Sequence, residues 1–88
     1  MALYRIELRE SARRELAALP REVQRRVARA LDRLAENPRP AGAKMLEGPG
    51  RLLRLRVGDY RVVYLAHDAT HVVEVVRVAH RSAVYRAR

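Results

Sequence analysis

The sequence predicts an α+β fold in the order β-α-α-β-β-β, an antiparallel sheet covered on one face by a helical hairpin. Three observations predict it. Apolar and polar residues alternate at 3–9, apolar residues recur at helical spacing over 23–34, and β-branched residues crowd the stretch 52–78, where two turn signals divide them.

Residues 3–9 put Tyr4, Ile6 and Leu8 on one face of a half-buried strand. Ser11 offers an N-cap for a helix over 11–18, with Ala12, Leu16 and Leu19 along one side. Pro20 interrupts it. Proline is tolerated in a first helical turn, so a second helix is expected from about 21 to 36. There Val23, Val27, Leu31 and Leu34 form one apolar stripe, and Arg21, Arg25, Arg26, Arg29 and Arg33 fall largely outside it. Asn37, Pro38, Pro40 and Gly42 end the helical pattern and open a loop that Gly48, Pro49 and Gly50 close. Strands are expected at 52–57, 60–66 and 71–78, joined by tight turns at Gly58-Asp59 and at 67–70. Periodicity leaves the first strand's place in the sheet open. Tyr4, Tyr60 and Tyr64 alternate with the core set and are assigned to packing.

Eighty-eight residues are expected to form one domain, 1–88. A chain of this mass buries roughly 64% of its extended surface, so the core is real but small. With no cysteine, neither a disulfide nor a thiolate metal site can supplement it. No apolar run approaches the roughly 20 residues that span a bilayer, and the first ten residues lack the apolar core of a signal peptide. A cytoplasmic protein without a membrane partner is the expectation.

Nineteen basic residues oppose ten acidic ones, giving a formal net charge of +9, and all the basic residues but Lys44 are arginine. Such a balance points to a polyanionic partner, nucleic acid or an acidic protein. Alternation places Arg54 and Arg56 on the strand face opposite Leu53, Leu55 and Val57, and Arg61 opposite Tyr60, Val62 and Tyr64. Arg77 and Arg81 close the last strand, and Tyr85 follows four residues later. Like charges gathered on one surface oppose folding unless an anion satisfies them; the alternative is a solvated polar strand face. His67 and His71 flank a turn and make no convincing metal set. Glu74 is expected to pair with an arginine of a neighbouring strand.

The segments LLRLRVGDYRVVYLAHD and VVEVVRVAHRSAVYR resemble the RelE branch of the RelE/ParE toxin superfamily. YRIELRESARRELAALP and LDRLAENPRPAGAKMLEG resemble its helical portion, so the likeness runs in order along essentially the whole chain. The resemblance implies a toxin that binds the ribosomal A site and cleaves messenger RNA without a metal or other cofactor. In that chemistry the RNA's own 2′-hydroxyl attacks the adjacent phosphorus. The family's site residues fall on Arg54, Arg56, Arg61 and Arg81, with Tyr85 as the terminal aromatic that stacks on a base. The implied partners are an acidic or amphipathic antitoxin encoded nearby, the ribosome and messenger RNA, with DNA reached only through the antitoxin complex.

Two features depart from the family pattern. Relatives carry lysine at one or both of the positions held here by Arg54 and Arg56, and a guanidinium is a poor general base. The aromatic that often precedes the pair is replaced by Leu53. His80 is the candidate proton carrier, although beside Arg81 in extended chain it points to the other face. Two other functions stay open: a ParE-like poison of DNA gyrase, and an inert basic module that only binds its antitoxin. The closing HRSAVYR segment favours the ribonuclease branch.

Overall fold

The computed structural model describes residues 3–46, 48 and 50–84. Its elements are β1 (Arg5–Leu8), α1 (Glu10–Ala17), α2 (Arg21–Glu36), β2 (Lys44–Met45), β3 (Leu53–Val57), β4 (Tyr60–His67), β5 (Val72–His80) and a final turn of helix, α3 (Arg81–Val84). The expected order is present. The brief strand β2 inside the long loop and the helical turn after β5 are additions that periodicity does not reveal.

One sheet runs β1-β5-β4-β3-β2. The three strands expected to meander do so: β3 pairs β4 and β4 pairs β5, both antiparallel. The first strand lies beyond β5 and runs parallel to it, with Ile6 opposite Val73. A parallel neighbour requires a crossover, which the two helices supply. An extra residue in β5 shifts the register between Val63–Arg77 and Tyr64–Val75, and this bulge turns Val73, Val75 and Val78 to one side.

That side meets the helices. Ala12 of α1 and Val27, Ala30, Leu31 and Leu34 of α2 pack with Leu53, Leu55, Val62, Tyr64 and the three β5 valines in one core. Tyr64 is wholly buried, and its hydroxyl donates to the Pro38 carbonyl at 2.7 Å, tying the loop after α2 to the sheet. Burial pushes that hydroxyl up to about 12.

Ser11 is not the N-cap. The cap residue of α1 is Arg9, without a side-chain capping bond, and Ser11 lies inside the helix with its Oγ 3.5 Å from the Val76 carbonyl. The reason is the β5 edge: β1 stops at Leu8 opposite Val75, and α1 takes over where the strand ends. Glu15 there accepts the Val78 N–H at 2.8 Å and Arg77 Nε at 3.0 Å, so a carboxylate satisfies backbone that a strand would otherwise pair. The passage between the helices is stitched by Gln24, whose amide donates to the carbonyls of Ala17 and Leu19. Pro20 opens α2 as expected, its carbonyl accepting the Gln24 N–H.

Candidate anion-binding site

The β3–β4 hairpin places the first three site residues. Gly58 supplies a positive φ of 60° at the first central position of a two-residue turn, as a type II′ hairpin requires. The turn sets Arg56 directly opposite Arg61, while Arg54 lies opposite Val63 on β4 and opposite Lys44 on β2. Strand alternation therefore puts Arg54, Arg56 and Arg61 on the sheet face away from Leu53, Leu55 and Val62.

Arg61 is only 8% exposed. Its Nη1 donates to the Tyr60 carbonyl at 3.1 Å and to the Gly58 carbonyl at 3.4 Å, and its buried Nε has no partner among the described residues. Burial holds the guanidinium below its ordinary range, and Arg56, Arg54 and Arg81 add to the shift in that order, against a smaller opposing effect of Asp59. The four arginines thus share one electrostatic field. Arg81 is held there by its backbone N–H, which donates to the Asp59 carbonyl in the hairpin turn at 2.8 Å.

An open cleft of about 360 Å³ runs beside these residues, lined by Arg54, Arg56 and Arg61 with Lys44, Arg33 and the loop 40–42. Lys44 and Arg33 were not among the sequence candidates. No periodicity links a loop lysine or a helical arginine to a strand face; the brief β2 pairing that sets Lys44 opposite Arg54 brings the first of them in.

The remaining candidates fall elsewhere. Tyr85 lies outside the described residues. His80 pairs with Tyr60 across β4 and β5, and their rings meet edge to face at 5.4 Å, on the side opposite Arg61 and Ala79. Its Nδ1 accepts the Ser82 N–H at 3.2 Å, so it caps the final helical turn. Arg77 is held by Glu15, and Glu74 pairs with His67 and with Arg9, which lies not in a neighbouring strand but at the cap of α1, where β1 has ended. Both contacts hold Glu74 below the usual carboxylate range, that with Arg9 the more. His67 is the last residue of β4, not part of the turn. Among the described residues no three histidine, aspartate or glutamate side chains gather as a metal site would require.

A buried guanidinium with a donor unused among the described residues, set among like charges, can take an oxyanion. Planar bidentate donors suit phosphate in particular.

The family model for the ParE toxin of type II toxin–antitoxin systems matches residues 6–85. The chain is 36% identical over 84 residues to the toxin RelE of Mycobacterium tuberculosis, covering 94% of this chain and 87% of that protein. Among solved structures it is similar to the archaeal RelE–RelB complex of Pyrococcus horikoshii, with a TM-score of 0.79, 31% identity, and coverage of 90% of this chain and 96% of that one. It is also similar to the toxin–antitoxin complex RelBE2 of M. tuberculosis, with a TM-score of 0.80, 29% identity, and coverage of 91% and 100%. The isolated RelE toxin of Escherichia coli superposes with a TM-score of 0.73 at 28% identity, over 97% of this chain and 99% of that one. The chain belongs to the RelE/ParE family of toxins of type II toxin–antitoxin systems.

Proposed function

We propose that this toxin arrests translation by cutting messenger RNA in the ribosomal A site, with the RNA's 2′-hydroxyl as nucleophile. The observation that carries the reading is Arg61, buried beside a cleft that Arg54 and Arg56 also line, with an Nε that has no partner among the described residues. Likeness to toxins named RelE supports the reaction class.

In the step, a bond forms from the 2′-oxygen to phosphorus as the bond to the 5′-oxygen breaks. The products are a 2′,3′-cyclic phosphate and a 5′-hydroxyl, whose proton comes from solvent. Arg61 and Arg81 hold the scissile phosphate and stabilise the charge that builds on its oxygens. Electrostatic preorganisation of that kind is worth about 3 kcal/mol per donor. Arg54 and Arg56 position the RNA and favour ionisation of the 2′-hydroxyl by their field, its proton leaving to water. No step goes through His80. Tyr85 stacks on a flanking base. The ribosome supplies in-line geometry, so naked RNA is a poor substrate.

Cleavage of messenger RNA on programmed ribosomes, measured in single turnover, tests the reading; no cutting by folded wild-type protein overturns it. Lysine at position 54 or 56 tests the proton route: a faster rate with a new basic limb places proton transfer at that residue. Because the matching family model is named for ParE, a DNA supercoiling assay runs beside it. Inhibition of gyrase without RNA cleavage selects the second reading, and inertness in both leaves an antitoxin-binding module. The complexes of RelE with RelB support an antitoxin partner here, tested by co-expression with the adjacent reading frame. Recovery of no small co-purifying protein overturns that.

A further inference from the structure

Behind the cleft lies a second one of about 420 Å³, lined by Arg26, Arg29, Arg33, Arg56, Val57 and Gly58. The two share Arg33 and Arg56, so they adjoin at those side chains, one cleft reaching Arg61 and the other reaching Arg26 and Arg29 of α2. Described strand pairing leaves that junction open, since β2 covers β3 only at Leu53 and Arg54.

Arg26, Arg29 and Arg33 are three and four residues apart, so they share a helix face, rising about 10 Å along it. All three are exposed, and none forms an ion pair among the described residues. That includes Glu22, one turn before Arg26. Arg26 reaches the β3–β4 turn: a Cβ on Gly58 would stand 3.0 Å from its Nη2, so the guanidinium lies against the hairpin.

We propose that this face of α2 is a second phosphodiester-binding track, continuous with the cleft, that holds RNA backbone outside the scissile nucleotide. The inference rests on the ribonuclease reading for its ligand. RNA backbone suits the lining better than an acidic protein segment does. Protein interfaces are anchored by apolar side chains in desolvated pockets, and Val57 is the only large apolar residue among the described residues that line the second cleft. A row of guanidiniums matches a ligand that repeats one negative charge per unit. The backbone comes from either the messenger beyond the cut or ribosomal RNA.

The test is the double variant Arg26→Gln/Arg29→Gln, whose residues line only the second cleft. Ribosome affinity is expected to fall about tenfold or more at 0.15 M salt, and the log–log salt dependence to lose about 1.5 of its slope, as two lost phosphate contacts require. The single-turnover rate at saturating ribosomes is expected to stay as in wild type. Arg26→Lys/Arg29→Lys should restore both affinity and slope, which a purely structural defect would not allow. A deficit on vacant ribosomes identifies ribosomal RNA as the source; one seen only on programmed ribosomes identifies the messenger. Wild-type affinity and slope in the glutamine variant overturn the track while the ribonuclease reading stands. Loss confined to antitoxin capture overturns it in favour of a protein ligand. If wild type cuts nothing yet binds ribosomes through these arginines, the track stands and the ribonuclease reading falls.

Discussion

Around β1, α1 and the β4–β5 turn, arginines meet carboxylates: Arg9 with Glu74 at 2.6 Å, Arg77 with Glu15 at 3.0 Å, and Arg39 with Asp68 at 3.0 Å. Around the β3–β4 turn the same side chain is treated differently. Arg56, Arg61 and Arg81, with Arg26, Arg29 and Arg33 of α2, form no ion pair among the described residues, and Arg61 is buried in that company. The first region spends its charges on the fold, closing a sheet edge and pinning a loop. The second leaves its charges to repel one another, a repulsion that opposes folding and that a bound anion would relieve. Arginine content alone therefore says nothing of role; the acid beside it, or its absence, does.

The comparison breaks most sharply at Arg61. Arg61→Met should lower single-turnover cleavage about 10²–10³-fold, the scale of one lost transition-state donor. The same change should cost little stability, because it removes a buried charge that forms no ion pair among the described residues, at the expense of the Nη1 bonds to the Tyr60 and Gly58 carbonyls. Denaturant unfolding measures this, and a loss beyond about 2 kcal/mol would mean that Arg61 belongs with the structural arginines.

Glu15→Ala should do the reverse. It strips Arg77 of its partner and leaves the Val78 N–H unpaired at a half-covered strand edge, a loss of about 2 kcal/mol. Unfolding midpoints that match wild type would show that the β5 edge does not depend on the carboxylate.

Inorganic phosphate should stabilise the wild type by mass action, by about 1.4 kcal/mol at ten times its Kd, and Arg61→Met far less. Thermal unfolding in phosphate against chloride at equal ionic strength is the measurement. Equal shifts in both proteins would locate the anion away from Arg61.

The smallest effect belongs to Asp68. Hydrogen bonds from Arg39 and Tyr4 hold its carboxyl down to about 2, below the ordinary 3.8. A depressed folded value means stability that is present above about pH 4 and lost as pH falls through about 2. Asp68→Asn should change stability at neutral pH only slightly, since the pair is exposed and screened by solvent. It should flatten the acid limb of the stability profile, and an unchanged limb would remove Asp68 from the fold's electrostatic support.

Tyr64 shows how far local pattern reaches. Its place in an alternating strand predicts burial, but its bond to the Pro38 carbonyl, twenty-six residues earlier in the chain, follows from the path of a loop. The same limit governs the site. Arg54, Arg56 and Arg61 are legible as one face of a hairpin because alternation and a Gly58-Asp59 turn fix which way strand side chains point. Lys44 and Arg33 are not, since a loop lysine and a helical arginine reach the cleft only through pairing at a distance.

The sequence by itself determined the β-α-α-β-β-β order of the six main elements, the apolar stripe of α2, the three-strand meander and the surplus of arginine, all properties of neighbours along the chain. Tertiary structure alone decided that β1 lies parallel to β5, that a bulge turns Val78 inward, and that α1 completes the edge where Ser11 had promised a cap. It also decided which arginines meet an acid and which do not. That division has no local signature, because Coulomb energy depends on distance in space, and only the packed sheet and helices set those distances.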